Sequence, residues 1–243
     1  MAAQLSVNVN KVATLRNSRG GDVPNLIQAC EAIVAAGSRG ITVHPRADER
    51  HIRARDVREI SEWLAPRRAD VEFNIEGDPR PDLMDVVCTL RPHQCTLVPV
   101  RPGEVTSEAG WDPAASSELT LVVKRLQSHG IRVSVFIDAN EPSVRWAAQT
   151  GADRIELYTE PYAREFAAGH GQAAFERFAA ASKLAHQLGL GINAGHDLDL
   201  DNLPLFRQLP QLAEVSIGHA LIGHALYVGL DRAVRDYIHC LAG

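Results

Sequence analysis

Only four cysteines occur in 243 residues, Cys30, Cys88, Cys95 and Cys240, with no CxxC pair and no zinc-finger spacing. A chain of this length can bury enough core without staples, so the thiols are expected to be reduced and structurally independent. Lysine is scarcer still, confined to positions 11, 124 and 183. Only Lys11 lies near a predicted strand end, which leaves a Schiff-base aldolase weakly equipped. No stretch approaches the roughly 20 apolar residues that a membrane span requires. The opening MAAQLSVNVNK has no basic region followed by an apolar one, so the expectation is a cytoplasmic protein with no membrane partner. Positive charge is not in excess either: 25 Lys+Arg against 30 Asp+Glu give −5, with no broad basic field for nucleic acid. Small-anion sites remain open. No GxGxxG follows the first predicted strand, and GxSxG, HxH and HExxH are missing, which removes the dinucleotide fingerprint, the nucleophile elbow and the commonest zinc signature.

What is present is a repeat. Short β-branched runs alternate eight times with helical patterns: 5–10, 40–44, 71–76, 94–99, 132–138, 154–159, 191–196 and 214–218 read as strands. The helix predicted over about 24–36 opens at Asp22 and Pro24 and stops at Gly37; later ones stop at Gly130, Gly151 and Gly189. Eight βα units in a chain near the usual ~250 residues predict a (β/α)8 TIM barrel, one domain over 1–243. An open doubly wound sheet is the rival, disfavoured by the missing glycine fingerprint and by the lack of any linker between lobes.

Strand residues alternate between two faces. One phase is apolar (Val7, Val9, Ile41, Val43, Phe73, Ile75, Val133, Val135, Ile137, Ile155, Leu157, Val215, Ile217) and suits the layer under the helices. The other is polar or small: Asn8, Asn10, Thr42, His44, Glu72, Asn74, Glu76, Ser134, Asp138, Glu156, Tyr158, His196, Ser216, Gly218. In a closed barrel this phase points inward, where polar groups need partners. Thr42, Glu72 and Asn74, low in their strands, read as a self-satisfied network. His44, Glu76, Asp138, Glu156, His196 and Gly218-His219 fall at C-terminal strand ends, where this fold builds active sites. His44, Glu76 and His196 offer proton transfer, and a desolvated Glu there moves toward neutrality.

Two segments read as anion sites. One is the loop 13–21, with Arg16, Arg19 and Gly20-Gly21; the other is 216–223, where Gly218 lets the backbone approach a ligand at a helix start. His44, Arg46 and His51 surround a turn after the second strand, whereas Arg50, Arg53 and Arg55 read as a solvated face partnered by Asp48, Glu49 and Asp56. The segment 100–112 reads as a lid in which Thr106 and Ser107 could close on a substrate. His129 and His186 are explained by helix C-termini. A competing reading makes Glu76, Asp138, Glu156 and His196 a hard donor set for a divalent metal, as in a metal-dependent sugar-phosphate isomerase or aldolase. A phosphate-ligand sensor without turnover would need the anion sites but not the acid–base set.

The segments VNVNKVATLRNSRG, GITVHPRADERHI, FNIEG, CTLVP with EVTSEAGWD, IELYTEPYA, NAGHDL and IGHALIG occur in this order. Together they resemble the pyridoxine 5′-phosphate synthase family from about residue 6 to 230. The resemblance implies condensation of 1-deoxy-D-xylulose 5-phosphate with 3-amino-2-oxopropyl phosphate, releasing phosphate and water, with no metal or organic cofactor, in a homo-octamer. It implies His44 and Glu76 as proton acceptors, His196 as proton donor and Glu156 as a transition-state stabiliser. Asn8, Arg19, Asp197, Gly218 and His219 would hold the amino-ketone phosphate; Arg46, His51 and Thr106 would hold the sugar phosphate. Five positions depart from the pattern. Asn10-Lys11 replaces a commoner Asp-His facing the sugar phosphate, Asp197 stands where many members have Gly, and Tyr158 and Glu160 replace a His and a Gly.

Overall fold

The structure, a computed structural model, describes residues 2–101, 103–104, 106–115 and 118–243. Eight parallel strands close into a barrel in sequence order: β1 (Gln4–Asn8), β2 (Gly40–Val43), β3 (Glu72–Gly77), β4 (Gln94–Leu97), β5 (Arg132–Ile137), β6 (Arg154–Tyr158), β7 (Gly191–Gly195) and β8 (Leu212–Ile217). Closure is made by β1 against β8, with Val7 opposite Ile217, while Val7 also faces Ile41 of β2. The apolar phase is buried as expected: Val7, Ile41, Ile75, Val133, Ile155 and Val215 are fully covered.

The covering layer comes from α2 (Leu26–Ala35), α3 (Ala54–Leu64), α4 (Pro81–Leu90), α5 (Leu119–Ser128), α6 (Glu141–Thr150), α8 (Gly171–Gln187) and α11 (Leu230–Ala242). In α3, Val57, Ile60 and Leu64 make one buried stripe at helical spacing, each contributing about 1.5–3 kcal/mol of apolar burial. Extra helices sit among them: α1 (Asn10–Asn17), α7 (Glu160–Ala167), the short α9 (Leu203–Phe206) and α10 (His219–Val228). Among the described residues no helix is long and apolar enough to cross a membrane.

Several sequence expectations are corrected here. The segment 13–21 is no basic loop, because its first half continues α1; the missing signal is that α1 has no side-chain cap and no acidic first turn. The α2 helix begins at Leu26, two residues later than predicted, capped by Asn25 Oδ1 accepting from Gln28 N at 3.0 Å. Strands β1, β6 and β7 end at Asn8, Tyr158 and Gly195, so Asn10 belongs to α1 and His196 to the turn after β7. Phe136, which shares the inward phase of β5, packs with Val98 and Tyr158 in a small apolar cluster inside the barrel.

The polar interior is laddered. Ser6 Oγ and Thr42 Oγ1 share a hydrogen at 2.7 Å; Asn74 Nδ2 donates to Thr42 Oγ1 at 3.4 Å, and Thr96 Oγ1 to Asn74 Oδ1 at 3.1 Å. Below them, Gln94 Oε1 accepts from Arg132 Nε (3.0 Å) and Asn193 Nδ2 (3.2 Å), and Arg154 Nη1 donates to Asn193 Oδ1 (3.0 Å). Glu72 is ion-paired with Arg132. The self-satisfied network expected for Thr42, Asn74 and Glu72 is therefore present.

Candidate active site

At the C-terminal mouth a cavity of about 430 Å³ is lined by Asn8, Asn10, Lys11, His44, Arg46, His51, Glu76, Thr106, Glu156, His196, Asp197, Gly218 and His219. These are all the predicted site residues but one. Arg19, beyond the end of α1, is exposed and lines no part of it. Thr14, Arg50, Ser107, Leu198 and Ser216 also face the cavity, and Arg50, exposed and paired with Asp48 as expected, is in addition part of its lining. Its Nη1 donates to the Glu104 carbonyl at 3.0 Å and its Nε to Asp48 at 2.8 Å.

The carboxyls come from the strands. Glu76 of β3 accepts from Asn8 Nδ2 and Ser216 Oγ, both at 3.4 Å, and its Oε2 lies 3.7 Å from His44 Nδ1. Burial pushes Glu76 up to about 8, against the Ser216 hydrogen bond and with help from the Glu214 carboxyl. Glu156 of β6 is raised well above the ordinary range by burial and by Glu76. Gly195 makes room for it, since a Cβ there would stand 2.6 Å from Glu156 Oε1. The imidazoles move the other way. Burial, then Arg46, His51, His196 and Arg80, holds His44 well below 6.5, and burial holds His196 near 4. Burial with the Arg46 and Lys11 cations takes His51 to about 4.

The resting site thus carries uncharged imidazoles beside carboxyls that keep their protons near neutral pH. Among the described residues, His44 Nε2, His196 Nδ1 and Glu156 Oε2 are buried without a hydrogen-bond partner. An unmet buried polar atom costs about 1–3 kcal/mol, so three aimed at one mouth are expected where a ligand completes them. The Arg46 guanidinium is buried and forms no ion pair among the described residues, the state of a cation kept for an anion.

His196 is held by its surroundings. It and Asp197 both take left-handed backbone, φ 82° and 57°, rare for residues with a side chain. Thr159 Oγ1 donates to the carbonyls of Gly195 (2.6 Å) and His196, and Asn202 Nδ2 donates to the Asp197 carbonyl at 3.0 Å. The imidazole packs on Phe136 (5.0 Å between centroids) and edge-on to Tyr158 (5.5 Å). Asn10 Oδ1 accepts from His44 N at 3.0 Å, fixing the start of α1 to the end of β2.

Two site expectations change. Asp138 is not in the cavity: its Oδ1 accepts from Gly110 N at 3.0 Å, so the four-residue metal set is not brought together. Among the described residues no group of three or more His, Cys, Asp or Glu converges for a metal. Gly218 borders the cavity, and a Cβ there would also press on Asn8, 3.1 Å from its Cβ and 3.2 Å from its carbonyl. The segment 100–112 is anchored at its end, where Trp111 Nε1 donates to the Leu97 carbonyl at 2.8 Å; positions 102 and 105 of that predicted lid lie outside the described residues.

A closed parallel barrel that gathers acid–base groups and cations at its C-terminal mouth falls in the class of (β/α)8-barrel enzymes. The family described as "Pyridoxal phosphate biosynthesis protein PdxJ" matches residues 5–243, and the chain belongs to it. Relatives called pyridoxine 5′-phosphate synthase agree along nearly the whole length. That of Bacteroides thetaiotaomicron is 52% identical over 240 residues, covering 98% of this chain and 99% of its own. That of Xanthomonas oryzae is 50% identical, covering 100% and 98%. Solved structures share the fold at low identity: thiamine phosphate pyrophosphorylase from Pyrococcus furiosus has a TM-score of 0.63 at 11% identity, covering 99% of this chain and 96% of its own. Phosphoribosyl anthranilate isomerase from Thermus thermophilus has 0.60 at 13%, covering 98% of each.

Two outcomes follow from this geometry. Asp197→Gly should be tolerated and Asp197→Val should cost about 1–2 kcal/mol, because only the second worsens a left-handed residue; chemical denaturation of the pair checks this, and equal stabilities would remove the strain. For Glu76 the folded pKa lies above the unfolded one, so the proton it binds favours folding at low pH and that contribution is lost as pH rises from about 4.5 to about 8. Glu76→Gln should therefore gain melting temperature over wild type progressively between pH 5 and pH 8.5, and a pH-independent gap would contradict the buried, proton-holding carboxyl.

Proposed function

We propose that the chain is a pyridoxine 5′-phosphate synthase, condensing 1-deoxy-D-xylulose 5-phosphate with 3-amino-2-oxopropyl phosphate to give pyridoxine 5′-phosphate, inorganic phosphate and water, without a metal or organic cofactor. Family membership supports the reaction. The observation that carries the mechanism is the convergence of orphaned polar atoms of His44, Glu156 and His196 on one cavity beside Arg46, which has no ion pair among the described residues. Ring closure through an imine moves protons repeatedly between carbon, nitrogen and leaving hydroxyls, which suits groups that exchange protons near neutral pH.

In this proposal Glu76 and His44 accept protons and His196 donates one. Glu76, which holds its proton at rest, must release it before accepting another, and being poised at about 8 it does so with little driving force in either direction. His44, uncharged at rest, can take a proton, and Glu76 once ionised would stabilise the resulting imidazolium from 3.7 Å. His196 is uncharged at rest, so it gives a proton only after taking up one released earlier in the reaction, and Phe136 and Tyr158 hold its ring at a fixed place for both transfers. Glu156 sits beneath as a largely protonated carboxyl that can donate a hydrogen bond to developing negative charge.

The two phosphates are assigned to two sides of the mouth. Asn8, Asp197 and the Gly218-His219 start of α10 take the amino-ketone phosphate, where first-turn N–H groups lack carbonyl partners. Contact at Asp197 is through its backbone. Lys11, Arg46, His51 and Thr106 take the sugar phosphate, with Asn10 holding His44. Arg19 is exposed and has no place in this arrangement within one chain. Homo-octameric assembly belongs to the same proposal; the exposed Leu226 and Tyr227 on α10 are apolar surface of the kind subunit contacts cover.

Incubating the protein with both phosphates and assaying pyridoxine 5′-phosphate, with and without a chelator, tests the reading: no product sinks it, and chelator-sensitive product revives a metal-dependent reaction. Glu76→Gln should lower kcat by ~10²–10⁴-fold while substrate binding persists; wild-type turnover would take Glu76 out of the mechanism. Lys11→Ala should raise KM for the sugar phosphate, by less as salt rises, and leave KM for the amino-ketone phosphate alone. Unchanged constants for both would make Lys11 a bystander.

A further inference from the structure

The cations assigned to the sugar phosphate sit on two separate pieces of chain. Lys11 opens α1, whereas Arg46 and His51 lie on the 44–53 loop between β2 and α3. Neither piece is a strand, so the barrel ladder does not set the distance between them. Arg16 does. Its Nη1 and Nη2 each donate at 2.8 Å to one oxygen of Asp56 in the first turn of α3, Nη2 also reaches the His51 carbonyl at 3.3 Å, and Nε donates to Asn17 Oδ1 at 3.1 Å. Asn17 Nδ2 donates to the same His51 carbonyl at 2.8 Å, and Asp56 Oδ2 accepts from Arg53 N at 2.8 Å, closing the start of α3.

Both side chains of the pair are buried, 3% and 1% exposed. Four of the five guanidinium N–H directions are thereby committed inside the protein. Arg16 is therefore not the anion ligand that its place in a basic sequence suggested. The clamp also bears on how His51 presents itself. Its Nδ1 accepts from Ile52 N at 2.9 Å, so in the uncharged imidazole the proton is on Nε2, which remains as a donor for the cavity that His51 lines.

We propose that Arg16 is a positioning residue for sugar-phosphate binding: the Arg16–Asp56–Asn17 clamp on the His51 carbonyl holds α1 against the 44–53 loop, so that Lys11, Arg46 and His51 address one phosphate together. The proposal rests on the substrate assignment above for the identity of that phosphate. A fixed fork matters because the two planar partners set orientation as well as distance, which a flexible ammonium does not.

The test replaces both charges at once, Arg16→Met with Asp56→Leu, so that no unpaired charge stays buried. Expected is a rise of about tenfold or more in KM for 1-deoxy-D-xylulose 5-phosphate, with kcat and KM for the amino-ketone phosphate within about twofold of wild type. Arg16→Lys, which keeps the charge but not the fork, should fall between, and Asn17→Ala should shift the same KM by less. A folded double variant with an unchanged sugar-phosphate KM, or with equal losses on both substrates, overturns the proposal. Should the double variant not fold, Arg16→Lys and Asn17→Ala decide, and unchanged constants in both overturn it. Calorimetric titration with inorganic phosphate reads the clamp without turnover. If wild type makes no pyridoxine 5′-phosphate the substrate assignment fails, yet weaker phosphate binding in the double variant still supports the clamp, and equal affinity overturns it.

Discussion

Closing eight parallel strands turns every second residue into a space that bulk water does not reach, and here that space is lined mainly with polar side chains. Each must find a partner or pay the desolvation penalty. In the lower barrel most partners exist: Ser6, Thr42, Asn74 and Thr96 form one chain of hydrogen bonds, and Gln94, Asn193, Arg132, Arg154 and Glu72 another, while Ser134 Oγ and Glu214 Oε1 stay unmet. The ladder gives out at the top, where Glu76 has only long contacts and His44, Glu156 and His196 keep unmet atoms. The same burial that makes these groups costly sets their protonation, because it disfavours the charged form of acids and imidazoles alike.

The barrel fixes carboxyls well but delivers imidazoles only through turns, and the turns must be rigid for another reason. His196 lies one residue past β7 in a left-handed conformation that nothing local favours. Thr159 from the end of β6 and Asn202 before α9 hold its neighbouring carbonyls, while Phe136 and Tyr158 hold its ring. Two strands and a helix start thus over-determine one side chain, the condition under which a strained backbone persists. Gly195 is part of the same solution, since a side chain there would displace Glu156.

The sequence made the barrel legible because period-two alternation survives in nearly every strand, and strand-end position then singled out His44, Glu76, Glu156 and His196. It misled where the deciding partner is remote. Arg16 reads as a basic-loop residue until Asp56, forty positions on, takes its guanidinium. Asp138 reads as a metal ligand until the Gly110 N–H occupies it. Phe136 was invisible for the opposite reason: an aromatic in the polar phase breaks the pattern, and its use, packing against His196, exists only once β5, β6 and β7 are adjacent. The resemblance supplied Arg19 as a ligand; a single chain leaves it exposed, outside the cavity.

Charge and occupancy are coupled in this mouth. The imidazoles of His44 and His51 are held uncharged by burial and, next, by a positive field in which Arg46 has the leading part for both, with Arg80 acting on the first and Lys11 on the second. A phosphate seated against Arg46 and Lys11 offsets that field without returning water to the site. The depression due to the cations then fades, and His44 moves back toward its ordinary range, where it competes better for a proton. The carboxyls respond in the same direction, since nearby negative charge further disfavours their ionisation and keeps Glu156 a donor. On the proposed reading the cations therefore do two things: they hold the sugar phosphate, and they add to burial in weakening His44 as a base until that phosphate has arrived.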